Sequence, residues 1–130
     1  MFKQGGGGSS NAYYFAMTNA DDVLGYFTPG THHSCGYDMT SLEDSSDWIQ
    51  IVAVGSSSAG DTKYYINGAH VGTASGVIVE KQMQHIGSYS GTNSQTFAEF
   101  IDEFAYWDQA LTAEQIKEIY NRNQKIINII

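Results

Sequence analysis

The chain has 130 residues, the size of one domain with a single core. Fourteen acidic residues against six basic ones give a net charge of −8, which disfavours nucleic acid as a partner because phosphate binding needs a basic face. No apolar run reaches the length of a membrane span and no leader opens the chain, so membrane insertion is not expected, and any secretion signal would lie outside this sequence. The acidity fits a solvated surface, or calcium held by carboxylates clustered at Asp21 and Asp22, at Asp38 with Glu43 and Asp44, or at Glu99, Asp102 and Glu103.

In chain order, residues 5–10 (GGGGSS) read as a flexible loop or linker. Residues 11–17 (NAYYFAM) read as a strand, Asp21 and Asp22 as a turn, and residues 23–27 as the hairpin partner. Pro29 belongs in a loop, and residues 31–47 read as a long polar connection without a clear period. Within it, His32, His33 and Cys35 match no zinc spacing and read as loop histidines beside a buried thiol. Cys35 is the single cysteine, so no internal disulfide forms.

Residues 47–54 (DWIQIVAV) alternate as a strand. A Ser/Gly loop then leads to KYYINGAHVGT, where Asn67-Gly68 between two alternating runs predicts a hairpin with a type I′ turn. Residues 77–79 and 84–87 read as short strands, and 87–96 as a loop. Residues 97–107 (FAEFIDEFAYW) read as an aromatic, acid-bearing strand. Alternation there puts Phe100, Asp102, Phe104 and Tyr106 on one face and Ile101, Glu103, Ala105 and Trp107 on the other. A helix is predicted from Thr112 to about Tyr120. Thr112 and Gln115 form a capping box, Leu111 and Ile116 a hydrophobic staple, and Ile116, Ile119 and Tyr120 an apolar stripe. Residues 122–130 follow as a tail, in which Ile126, Ile127, Ile129 and Ile130 are β-prone and apolar.

The run from Ile101-Asp102-Glu103 through the aromatics to Ala110-Leu111-Thr112, with Glu114, Ile116 and Tyr120, resembles the C-terminal signature of laminin-G-like domains of the concanavalin A-like lectin/glucanase fold. The Trp48 to Val54 strand and the Asn67-Gly68 hairpin are similar to two further motifs of that family. The resemblance implies an all-β, two-layer antiparallel β-sandwich (a jelly roll) over residues 1–121, with one short C-terminal helix. It also implies short or missing N-terminal strands and an extracellular or cell-surface location. For Asp102 it implies a share in a structural calcium site with backbone carbonyls near the chain start. The residues themselves leave open that Asp102 instead caps a turn or accepts backbone N–H groups.

Catalysis is not expected. The glucanases of this fold place their acids on one strand face, whereas Glu99 and Glu103 alternate away from Asp102. Two non-catalytic readings follow. The first is a structural or adhesion module that assembles with copies of itself, the 126–130 isoleucines filling a gap in their own sandwich or in a neighbour's. The second is a calcium-dependent module binding carbohydrate or protein through Tyr37, Tyr89, Trp107 and the loop 87–96.

Overall fold

The computed structural model of the protein describes residues 14–18, 21–42, 45–78 and 101–127. These hold six strands, β1 (Tyr14–Thr18), β2 (Val23–Thr28), β3 (Thr31–Asp38), β4 (Ile51–Ser56), β5 (Asp61–Ile66) and β6 (Ala69–Ser75). A 3-10 turn at Thr40–Leu42 and one α-helix, α1 (Ala113–Ile127), complete them. The strands form two antiparallel three-stranded sheets, β1-β2-β3 and β4-β5-β6, each a meander. Local turn chemistry explains the connections. Pro29 and Gly30 (φ 81) join β2 to β3 with Thr28 opposite Thr31, proline presetting the first turn position and glycine taking the left-handed second. Asn67 (φ 50) and Gly68 (φ 75) join β5 to β6, both left-handed as a type I′ turn requires.

The sheets form two layers around one core. Leu24, Tyr26 and Cys35 from the first sheet cluster with Tyr64, Ile66 and Ala74 from the second, and Met39 joins them. Alternation puts Ile51 opposite Ile66 and Ala53 opposite Tyr64 on the core face of the second sheet. The layers meet along β3 and β6. There Gly72 is required, because a Cβ at that position would lie 2.2 Å from the Cys35 carbonyl oxygen. Polar groups fasten the seam. The Tyr26 hydroxyl donates to the Ser75 carbonyl (3.1 Å). The buried Thr62 hydroxyl donates to Gly76 O (3.0 Å) and accepts from Ile78 N–H (2.8 Å), so no polar cost of its burial is left uncompensated.

The sandwich and its helix are as expected, but three local expectations are corrected. Residues 31–38 are a strand and not a loop. The β2–β3 register shifts between Val23 opposite Asp38 and Gly25 opposite Ser34, with Gly36 at φ 83 inside the irregularity. A bulge of this kind breaks the simple period that a strand shows in sequence. It still leaves His33, Cys35 and Tyr37 on the more buried side. Residues 77–78 are not a strand; Ile78 folds over the core face of β4, where a Cβ on Gly55 would sit 2.8 Å from its side chain. Helix α1 continues seven residues past Tyr120 to Ile127, so residues 122–127 are helical and not an extended tail. Glu118 and Arg122 pair one turn apart across that boundary.

Candidate functional site

The stretch 101–108, Ile-Asp-Glu-Phe-Ala-Tyr-Trp-Asp, leads towards helix α1 and is exposed along its whole length. It makes no strand ladder among the described residues, although alternation predicts a strand. Glu103 sits at φ 52, a left-handed conformation uncommon for a side-chain-bearing residue and outside the extended range a strand needs. The two-faced arrangement read from the sequence therefore does not run through this point. The carboxylate of Asp102 turns to its own backbone, with Oδ1 accepting the Glu103 N–H at 2.8 Å.

The outcome is a surface of large apolar groups among acids. Ile101, Phe104, Tyr106 and Trp107 keep 43%, 50%, 54% and 40% of their surface in contact with solvent, far more than a core face would leave. Asp102, Glu103 and Asp108 are exposed beside them, and no base lies between residues 101 and 116. Trp48, expected within a strand, precedes β4 and is 55% exposed.

The other predicted site residues are not brought to this stretch by anything the structure describes. Tyr37 lies half-buried on β3 and packs against the core. Tyr89 and the loop 87–96 lie outside the described residues, as do Glu43, Asp44, Glu99, Ile129 and Ile130. Ile126 and Ile127 are in the last turn of α1. His33 is not a loop residue: its ring stacks on Tyr26 (4.5 Å between centroids, 6° apart) and its Nε2 pairs with Thr28 Oγ1 at 3.0 Å. Cys35 is buried and free, and burial pushes its thiol above the ordinary value. Asp38 Oδ1 accepts the Thr40 N–H, and its interactions with Thr40 hold its carboxyl below the usual range.

Calcium takes about six to eight oxygen ligands. Among the described residues no three acids, histidines or cysteines converge on one point, so Asp102 and Glu103 do not by themselves make a cage. The chain-start carbonyls that the resemblance pairs with Asp102 fall outside the described residues.

Helix α1 is set in place by local chemistry. Gln115 N–H donates to Thr112 Oγ1 (3.2 Å) while Thr112 N–H donates to Gln115 Oε1 (2.8 Å), a reciprocal capping box. Ile116 is fully buried, and Ile119 and Tyr120 are half-buried beside it. The helix lies over the β5–β6 turn, where a Cβ on Gly68 would be 3.2 Å from both Lys117 Cα and Tyr120 Cβ. Tyr65, buried but outside the core cluster, has its hydroxyl pushed up in pKa by burial first, then by the charges of Glu114 and Asp61. His70 meets the Tyr65 ring edge-on at 5.3 Å. Sequence reasoning found the cap and the stripe but not their seat on the hairpin, for which Gly68 was the available signal.

Comparison with known families settles what this arrangement belongs to. A laminin-G family model, described as concanavalin A-like lectin/glucanases superfamily, matches residues 1–117. The chain belongs to the laminin-G-like family. None of the curated proteins compared with it matches. Among solved structures, an S-layer domain-containing protein from Clostridium thermocellum ATCC 27405 is similar at 17% identity with a TM-score of 0.49. The match covers 86% of this chain and 64% of that one. In this laminin-G-like chain, the Ile101-Asp102-Glu103 run includes a left-handed residue, Glu103.

Proposed function

We propose that this laminin-G-like domain is a non-catalytic recognition module of an extracellular or cell-surface protein, and that its binding face is the acidic aromatic stretch 101–108. The observation that carries the reading is the joint exposure of Phe104, Tyr106 and Trp107 beside Asp102, Glu103 and Asp108. Aromatic faces stack on the apolar faces of sugar rings, and neighbouring carboxylates accept hydrogen bonds from hydroxyl groups, so carbohydrate is the ligand class this surface suits. Laminin-G-like domains are generally binding modules without catalytic activity, which supports the same reading. The test is a glycan array with the intact chain. Trp107→Ala and Phe104→Ala lose binding while keeping the parent's melting temperature. Binding that is undiminished in both variants removes the stretch as the site. Calcium belongs to this proposal through Asp102: a chelator lowers both glycan binding and melting temperature, and Asp102→Asn abolishes that response.

Assembly with copies of the chain is the second reading, favoured by the amount of apolar surface left open in one short stretch. A strand-like tail as the inserted element loses support, because Ile126 and Ile127 lie in a helix. The C-terminal end of a neighbour's helix α1 is then the element that complements the acidic aromatic surface. Sedimentation of the full chain against one ending at Asn121 separates the readings: loss of an oligomer on truncation supports assembly, and a monomer in both leaves the carbohydrate reading alone.

A further inference from the structure

The β5–β6 turn holds the sequence's single Asn-Gly pair, Asn67-Gly68, a dipeptide whose side-chain amide is prone to attack by the following backbone nitrogen. We infer that Asn67 is a deamidation site gated by helix α1, open to the chemistry only when the helix lifts off the turn. In the reaction, the Gly68 backbone nitrogen forms a bond to Asn67 Cγ, the Cγ–Nδ2 bond breaks, and ammonia leaves carrying the Gly68 amide proton. Water then opens the five-membered imide at one of its two carbonyls. The product is aspartate, or isoaspartate with the backbone rerouted through the former side chain.

Three features of the folded chain oppose the first step. Asn67 Oδ1 accepts the Gln50 N–H at 2.9 Å while Asn67 N–H donates to Gln50 O at 3.0 Å. The side chain therefore extends the pairing of β5 with β4 and is held on that side. The chain leaving through Gly68 leads to β6, on the opposite side of β5, so carbon and nitrogen are kept from alignment. The turn itself is fixed with φ 50 and 75 by strands paired on both sides. Gly68 is also roofed by α1, with Lys117 Cα and Tyr120 Cβ each 3.2 Å from where its Cβ would be, closer than ordinary van der Waals contact. That leaves little room for the tetrahedral intermediate or for the water that follows.

The consequence is directional. Isoaspartate adds a methylene to the backbone of a two-residue turn that has no slack beneath the helix, and either product adds a carboxylate to a chain already at −8. The altered turn no longer fits beneath Lys117 and Tyr120, so a transient undocking becomes permanent. The rate of modification then follows the population of the open form, as cleavage of locally opened states does.

The experiment ages the intact 130-residue protein at mildly alkaline pH and follows Asn67 by peptide mapping that resolves aspartate from isoaspartate. The folded protein is expected to convert Asn67 at least about tenfold more slowly than the same chain in denaturant, the factor being the fraction of time the turn is open. Thr112→Ala, which removes the cap without touching the turn, should convert faster than the parent, in step with faster amide exchange at Gly68. Should that variant not fold, the parent in denaturant below its unfolding midpoint supplies the loosened state. Equal rates in folded and denatured protein overturn the gate. So does a loosened helix, seen in Gly68 exchange, that leaves the Asn67 rate unchanged.

Discussion

The β5–β6 hairpin with its helix and the stretch 101–108 are both conspicuous in the sequence, yet they behave differently in the structure. The hairpin forms as its residues dictate: Asn-Gly takes two left-handed positions, Asp61 to Ile66 pairs on both sides, and the capping box starts α1 at the expected residue. The stretch 101–108 resembles a family motif and shows an apparent alternation, but it makes no ladder among the described residues and has a left-handed residue at Glu103. The difference is one of range. Turn and cap chemistry act between residues a few positions apart, whereas a strand needs a partner that its own alternation does not supply.

The strongest way to break that comparison is in the hairpin's core. Tyr64 on β5 is fully buried between the sheets, so Tyr64→Ala is expected to destabilise by about 3–5 kcal/mol, measured by denaturant unfolding. A loss below about 1 kcal/mol would mean that the sheets do not share this core.

Thr62→Val, nearly isosteric, tests the seam in which the chain after β6 crosses back over the sheet. It leaves Gly76 O and Ile78 N–H without their partner and should cost about 1–3 kcal/mol in the same assay. A neutral result would show that residues 76–78 are not held there.

Alkaline pH probes the same core. Burial pushes the pKa of Tyr64 up, with Cys35 and Tyr26 adding to it, and burial pushes that of Cys35 up as well. In the unfolded chain these groups ionise near their ordinary values of 9.0 for the thiol and 10.0 for the phenol. The stability they confer is complete below those values and is lost as pH climbs above them, because the unfolded chain releases its protons first. The melting temperature should therefore begin to fall as pH passes the ordinary thiol value. Tyr64→Phe should weaken the part of the fall above the phenol value. An identical fall in that variant would place its cause elsewhere.

The smallest effect is expected on the other side of the comparison. Trp107→Ala at an exposed position should change stability by no more than about 0.5 kcal/mol. A loss of several kcal/mol, read by thermal melting, would mean that the stretch packs against something and is no binding face.

Much of the fold was legible. The Asn67-Gly68 turn, the start of α1 and the apolar positions of β4 and β5 follow from periods and dipeptides. What was hidden had physical causes. Strand β3 escaped because a bulge at Gly36 breaks its period. The isoleucines at the helix end point to a β-prone tail, but propensity is a weak prior and the helix continues through residue 127. Of the predicted binding aromatics, Trp107 is exposed as a binding group must be, while Tyr37 lies against the core. Exposure depends on what lies opposite, and sequence spacing does not record that.

The sequence by itself determined the turns, the cap, the family and the acidic, single-thiol chemistry of the surface and core, because each rests on residues close together in the chain. Only the tertiary structure decided that Gly72 lets the Cys35 carbonyl approach, that Thr62 anchors the chain leaving β6, and that α1 rests on Gly68. Those contacts join residues 14 to 52 positions apart, and no local propensity specifies which surfaces meet when two sheets close on one core.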